Sequence, residues 1–328
     1  MFNYVVRRLV YGAVTLIALS VIVFALMQMS GGGPLNRLRA NPRITQEFIQ
    51  QVTEFYGLDQ PVWKQYLTWG SKWLQFDWGI SFQGTQPVKD LVFSRLGATF
   101  RLMFTALFLA VVIGIPFGIY QAIRQYSFFD QLGTTVSFIT FSTPIFIIGI
   151  GLQILLAVYL ERWTGVKFFY NAGMNSSNYG DMNLMARFVD TIQHLALPAI
   201  SIALISIAIY SRFQRASMLE VMHSDYLRTA KAKGLPRRTV IAKHALRNAL
   251  IPVVTLISLD IAAVIGGAII TESIFGWPGL GRLYITAIGQ LDYPLVMAIV
   301  MAIGIGVVVM NLIADIAYGF LDPRVRYD

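Results

Sequence analysis

Six stretches of this chain stay apolar over about the 17–25 residues that a helix needs to cross a bilayer. They run from about Leu9 to Met29, Leu102 to Tyr120, Leu132 to Leu160, Leu195 to Ser211, Ala249 to Thr271 and Leu295 to Ala314. A domain in water has no interior large enough to hide six such runs. Charged residues make up 13% of the chain, about half the share of a soluble domain. The surface therefore faces lipid. Backbone polar groups in lipid must be satisfied within each segment, so each run is expected to be helical. The expected fold class is an all-α integral membrane protein with six transmembrane helices.

Two runs depart from the simplest pattern. The third is longer than a span requires, and Pro144 is expected to kink or tilt it. The fourth is the shortest. The first run follows Arg7 and Arg8. It is too long for a signal-peptide core and no small-x-small site follows it, so it is expected to stay as a span.

Charge orients the set. Between Arg212 and Asn248 lie nine Lys and Arg against Glu220 and Asp225. The connection Thr164–His194 carries only Lys167 and Arg187. By the positive-inside rule the basic loop and both termini face the cytoplasm, and six crossings agree. The net charge of +9 follows from the same rule, and nucleic acid binding is not expected. The long segment Ser30–Arg101 is then external. It opens on Gly31-Gly32-Gly33-Pro34, a helix stop. It holds Trp63, Trp69, Trp73 and Trp78. These read as short amphipathic helices on the headgroup layer, or as a stacking platform for a sugar or peptide. Two parts follow: residues 1–96, an anchor helix with a long external loop, and residues 97–328, a core of five helices with the loop 212–248.

Local signals in the basic loop predict a helix, a tight turn and a second helix. Ser224 or Asp225 can cap the first helix, from Tyr226 to Lys233. Gly234 fits the left-handed residue that closes it. Pro236 suits the first turn of the next, from about Arg237 to Asn248. Ala230 and Ala232 are small enough to admit another protein's backbone. Arg228, Arg237 and Arg238 can pair with carboxylates across an interface. The alternative is a solvated basic loop beside anionic lipid, which explains the charge equally well.

The loop resembles the cytoplasmic docking segment of binding-protein-dependent ABC importer permeases, whose pattern is Glu-Ala-Ala, three residues, then Gly. Arg228-Thr229-Ala230, Lys231-Ala232-Lys233 and Gly234 fill those places, with Arg228 where the family has an acid. The wording DYLRTAKAKGL and HALRNALIP is similar to the peptide-importer branch. MFNYVVRRL, YGLDQPVWKQYLTW, FDWGISF, ESIFGWPGLGRL, QLDYP and DPRVR are similar, in order, to the first permease subunit of dipeptide, oligopeptide and nickel importers. The resemblance implies the type I importer permease fold in a prokaryotic cytoplasmic membrane. It implies a second homologous permease, two ATPase subunits or domains that bind ATP and Mg, and an external solute-binding protein. The cargo would be di- or oligopeptides, with nickel or oligosaccharides as alternatives. The coupling residues would be Asp225, Arg228, Thr229, Ala230, Ala232, Gly234, Arg237 and Arg238, and the chain itself would carry no cofactor.

Two polar positions lie in or near the membrane. Asp260 is mid-span, either on a cargo path or in a helix-packing hydrogen bond. Glu272 opens a turn with Trp277 and Gly281, which reads as an outer gate or as a tryptophan-anchored turn. Enzyme motifs are missing: the sequence has no phosphate-binding loop and no zinc-protease or nucleophile-elbow pattern. His194, His223 and His244 are widely spaced. A self-contained channel or ion-coupled carrier would need several intramembrane ionisable groups or an inverted repeat. Asp260 is the one clear mid-span acid.

Overall fold

The computed structural model describes residues 2–29, 39, 45–82, 86–263 and 269–321. The stop at Gly31–Pro34 and the closing DPRVR lie outside them. Thirteen helical elements are used below: α1 (Phe2–Met29), α2 (Gln46–Tyr56), α3 (Val62–Leu74), α4 (Val88–Ile123), α5 (Phe128–Ser142), α6 (Ile145–Thr164), α7 (Leu184–Met222), α8 (Asp225–Ala232), α9 (Arg237–Ala249), α10 (Ile251–Ala263), α11 (Ile269–Ile274), α12 (Leu280–Gln290) and α13 (Tyr293–Leu321). Among the described residues β pairing is limited to one bridge, Ile80 to Pro87.

Five helices are long and apolar enough to cross a membrane: α1, α4, α6, α7 and α13. The bent pair α9–α10, at 44°, makes a sixth when counted as one broken span. Several helices outrun their apolar stretch. α4 has 36 residues and α7 has 39, so each is about 54–58 Å long against a hydrocarbon layer of about 30 Å. The short fourth run is thus the apolar, protein-buried middle of the longest helix. Its ends, Leu184–His194 and Arg212–Met222, are helical where hydropathy predicts loop. The division after residue 96 falls inside α4. The third run breaks at Pro144: Thr143 is extended (φ −89°, ψ 125°), as the residue before proline prefers. α5 ends there and α6 begins, with a π-helical stretch at Gln153–Tyr159.

α4 and α7 form the central pair. Leu102 packs with Leu195 and Ala199, Ala110 with Tyr210 and Ala122 with Met218, so the two run in the same direction. Gly114 and Gly118 make this closeness possible. A Cβ on Gly114 would press on the Ile207 backbone at 3.2 Å, and one on Gly118 would collide with the Ser211 carbonyl. α1 lies antiparallel to α13. Arg8 pairs with Asp315 at 3.0 Å at one end, and Val23 and Phe24 meet Met297 and Met301 at the other.

The aromatic segment packs one face against protein and leaves Trp63, Leu67, Leu74 and Phe76 exposed. α2 and α3 dock onto the ends of α1 and α13: Ile49, Val52, Tyr56 and Trp69 share one core with Phe24, Tyr293 and Met297. Ser20 and Tyr66 exchange a 2.8 Å hydrogen bond, and Gln28 donates to Gln65 at 2.6 Å. Trp73 stacks on Trp78 at 5.3 Å, and Trp78 on Phe93. Of the four tryptophans only Trp63 is well exposed. The amphipathic character is visible in the sequence, and protein covers only the face that carries Trp69, Ile49, Val52 and Tyr56.

Candidate docking elbow and internal polar groups

Beyond α7 the chain turns through α8 and α9 and re-enters the apolar bundle as α10. α8 covers Asp225–Ala232. Asp225 lies in its first turn, where negative charge opposes the helix dipole. Arg228 reaches back to it at 3.5 Å, and the Thr229 hydroxyl donates to its carbonyl. Gly234 has φ +76°, a conformation that costs a side-chain-bearing residue roughly 1–2 kcal/mol. A Cβ there would meet nothing within 4 Å, so this glycine is required by backbone angle alone. Pro236 precedes α9, whose first residues are Arg237 and Arg238. α9 becomes π-helical at Val240–Ala245, which local pattern did not announce.

The elbow has an inner and an outer face. Leu227, Ala230, Val240, Ala245 and Ala249 form a core with Met218 and Ala122. Ala230 therefore serves this chain's own packing, a correction to its expected place on a partner surface. Asn248 donates to the Tyr226 hydroxyl at 2.8 Å and ties the two arms together. Asp225, Arg228, Thr229, Ala232, Gly234, Arg237 and Arg238 are exposed. The outer face is thus a basic, glycine-hinged surface on a fixed frame.

Inside the bundle, Asp260 on α10 accepts a 2.5 Å hydrogen bond from Tyr210 on α7. Tyr210 is fully buried. The bond is of the helix-packing kind, with tyrosine as the donor in place of Ser, Thr or Asn. Nearer the elbow, Arg215 grips Asp130 through two hydrogen bonds, 2.6 and 2.9 Å. Asp130 also accepts from the Tyr126 amide, and Ser127 caps α5 by accepting from the Asp130 amide. Sequence reading missed this clamp. Its one signal was a polar stripe on α7, Ser211, Gln214, Arg215 and Ser217, recurring at helical spacing.

At the far end the turn after α11 folds inward. Glu272 is fully buried. It accepts from the Thr99 hydroxyl at 2.8 Å and from the Arg282 amide at 2.9 Å. Trp277 is also fully buried and donates to the Ala98 carbonyl at 2.9 Å, while Thr99 accepts from the Leu280 amide. A Cβ on Gly279 would collide with the Glu272 carboxylate. Glu272 and Trp277 therefore fasten this turn to α4. The elbow and the fastened turn lie at opposite ends of α4, and no element brings Glu272 or Trp277 to Asp260. Among the described residues no cluster of His, Asp or Glu is arranged to hold a metal.

Comparison with known proteins covers nearly the whole chain. Residues 114–327 match the family described as "Binding-protein-dependent transport system inner membrane component". Residues 1–103 match its companion N-terminal family. The chain is 40% identical to the oligopeptide transport system permease protein AppB of Bacillus subtilis, over all of both chains. It is 36% identical to the dipeptide transport system permease protein DppB of Escherichia coli K12, over all of this chain and 99% of that one. It is 35% identical to the glutathione transport system permease protein GsiC of Shigella flexneri, again over the full length of both.

Proposed function

The chain belongs to the family of binding-protein-dependent transport system inner membrane components, and on that premise we propose that it passes di- or oligopeptides across the cytoplasmic membrane. It is a permease subunit and not an enzyme; ATP hydrolysis belongs to a separate subunit, and a solute-binding protein delivers the cargo. The peptide reading is supported by full-length similarity to permeases named for oligopeptides, dipeptides and glutathione. None of these relatives is named for nickel or an oligosaccharide.

In this reading the elbow faces the cytoplasm, as the excess of Lys and Arg there favours. A second homologous permease completes the path, and two ATPase subunits bind ATP and Mg. One ATPase seats against the exposed face around Gly234, touching Asp225, Arg228, Thr229, Ala232, Arg237 and Arg238. Closure of the ATPases pushes α8 and α9. Because these share a core with Met218 and Ala122, the push reaches α7 and α4 directly. The bundle then rocks between inward-open and outward-open states, each stabilised by its own contacts.

The observation that carries the coupling role is the open surround of Gly234, where a Cβ would meet no described residue within 4 Å. Gly234→Trp in reconstituted complex should insert normally and retain ATP hydrolysis while losing coupled peptide uptake. Uptake at the wild-type ratio to ATP consumed would count against the role. Offering labelled dipeptide, nickel and oligosaccharide to the same complex, with its binding protein, decides the cargo. The Tyr210 bond favours Asp260 as a packing group. Asp260→Asn should therefore leave uptake of a cationic and an anionic dipeptide changed in the same proportion.

A further inference from the structure

The α4–α5 turn faces the first turn of α9 across an open cleft of about 1140 Å³, lined in part by Arg124, Gln125, Ser127, Arg237 and Arg238. Three guanidiniums thus share one cleft, and no carboxylate lines it. Among the described residues none of the three takes part in an ion pair. The nearest acid in sequence, Asp130, is held by Arg215 on both oxygens and does not neutralise them. The wall is fixed in advance, since Ser127 caps α5 and Asp130 holds the Tyr126 amide. Beside the cleft stand Tyr126, Phe128 and Phe129, exposed by 77%, 71% and 59%. α5 starts here and continues into the apolar bundle, so these rings stand where a bilayer's interface begins.

We propose that this cleft binds the headgroup of an anionic phospholipid, with the phosphate among Arg124, Arg237 and Arg238 and the acyl chains along Phe128 and Phe129. The occupant follows from two features together. The cationic lining calls for a negative group, and basic pockets between spans at the cytoplasmic side suit phospholipid headgroups. The bare aromatic rim calls for an apolar tail on the same molecule. An acidic protein surface would satisfy the arginines and leave the rings unused. The inference rests on the placement of the elbow at the cytoplasmic leaflet given above. It adds that lipid bridges the α4–α5 turn to the elbow, and that Arg237 and Arg238 serve the lipid in place of the ATPase contact given to them above.

The test uses the full transporter in nanodiscs of phosphatidylglycerol and phosphatidylcholine, with retained lipid read by native mass spectrometry. The wild type should keep phosphatidylglycerol in preference. Arg124→Gln should lower that preference about fivefold, and Arg124→Lys should largely retain it. Both variants should keep their ATPase subunits, and inorganic phosphate at tens of millimolar should displace no lipid. An unchanged preference in Arg124→Gln overturns the proposal. So does displacement by inorganic phosphate, which would make this a simple anion site. Loss of the ATPase from Arg124→Gln with lipid retained would make it a protein-docking face. Failure of the docking reading itself would appear separately, as wild-type complex that holds lipid but no ATPase.

Discussion

The elbow and the turn at the opposite end of the bundle carry nearly the same sequence signature and are built to opposite ends. Each joins two helices through glycine and proline, and each has charged or aromatic residues beside the turn. At the elbow, Gly234 is needed for its backbone angle, and a Cβ there would meet no described residue within 4 Å. In the Glu272–Gly281 turn, Gly279 is needed for space, because the Glu272 carboxylate occupies the place of a side chain. The elbow's polar groups point outward, whereas Glu272 and Trp277 are spent inside the protein, on α4 and the first turn of α12. A glycine kept for angle leaves a surface that another molecule can grip. A glycine kept for room marks a joint that is already closed.

Substitutions at the two turns should separate these cases, and the largest effect belongs to the closed joint. Trp277→Ala removes a fully buried ring and its bond to Ala98, for a loss of about 3–5 kcal/mol. Thermal unfolding of the detergent-solubilised complex should show it as a large drop in Tm or as failure to assemble. Gly279→Ala forces a methyl group onto the Glu272 carboxylate and should cost about 1–3 kcal/mol; if its Tm equals that of wild type, the joint is looser than the geometry says. Gly234→Ala should cost about 1 kcal/mol through backbone strain alone, with expression and insertion preserved. An effect on Tm as large as that of Gly279→Ala would erase the distinction. Smallest of all, Tyr226→Phe removes the bond from Asn248 at an exposed site, for about 0.5 kcal/mol. Hydrogen exchange in α8 and α9 should rise slightly while the rest of the bundle stays as it was.

The order and number of apolar segments could be read from the sequence because lipid imposes a hydropathy that nothing else in the chain shares. Helix ends could not. Val88–Arg101 and Arg212–Met222 are helical but polar, so hydropathy marked the hydrocarbon layer and not the helix. The elbow's outline was legible because Gly234 and Pro236 act locally. What lay beyond reach was pairing across the chain. Tyr210 finds Asp260 50 residues away and Arg215 finds Asp130 85 residues away; neither residue announces its partner. Ala230 shows the same limit, since a small residue looks alike whether it faces its own core or a visitor.

The glycine-lined contact between α4 and α7 has a mechanical consequence. Two helices of about 55 Å, with backbone against backbone at Gly114 and Gly118 and shared cores from Leu102 to Ala122, resist separation. A tilt of only about 5° would swing the far tip by roughly 5 Å, the rise of one helical turn. If the elbow is the docking site proposed above, a modest shove there would reach the opposite end of the pair.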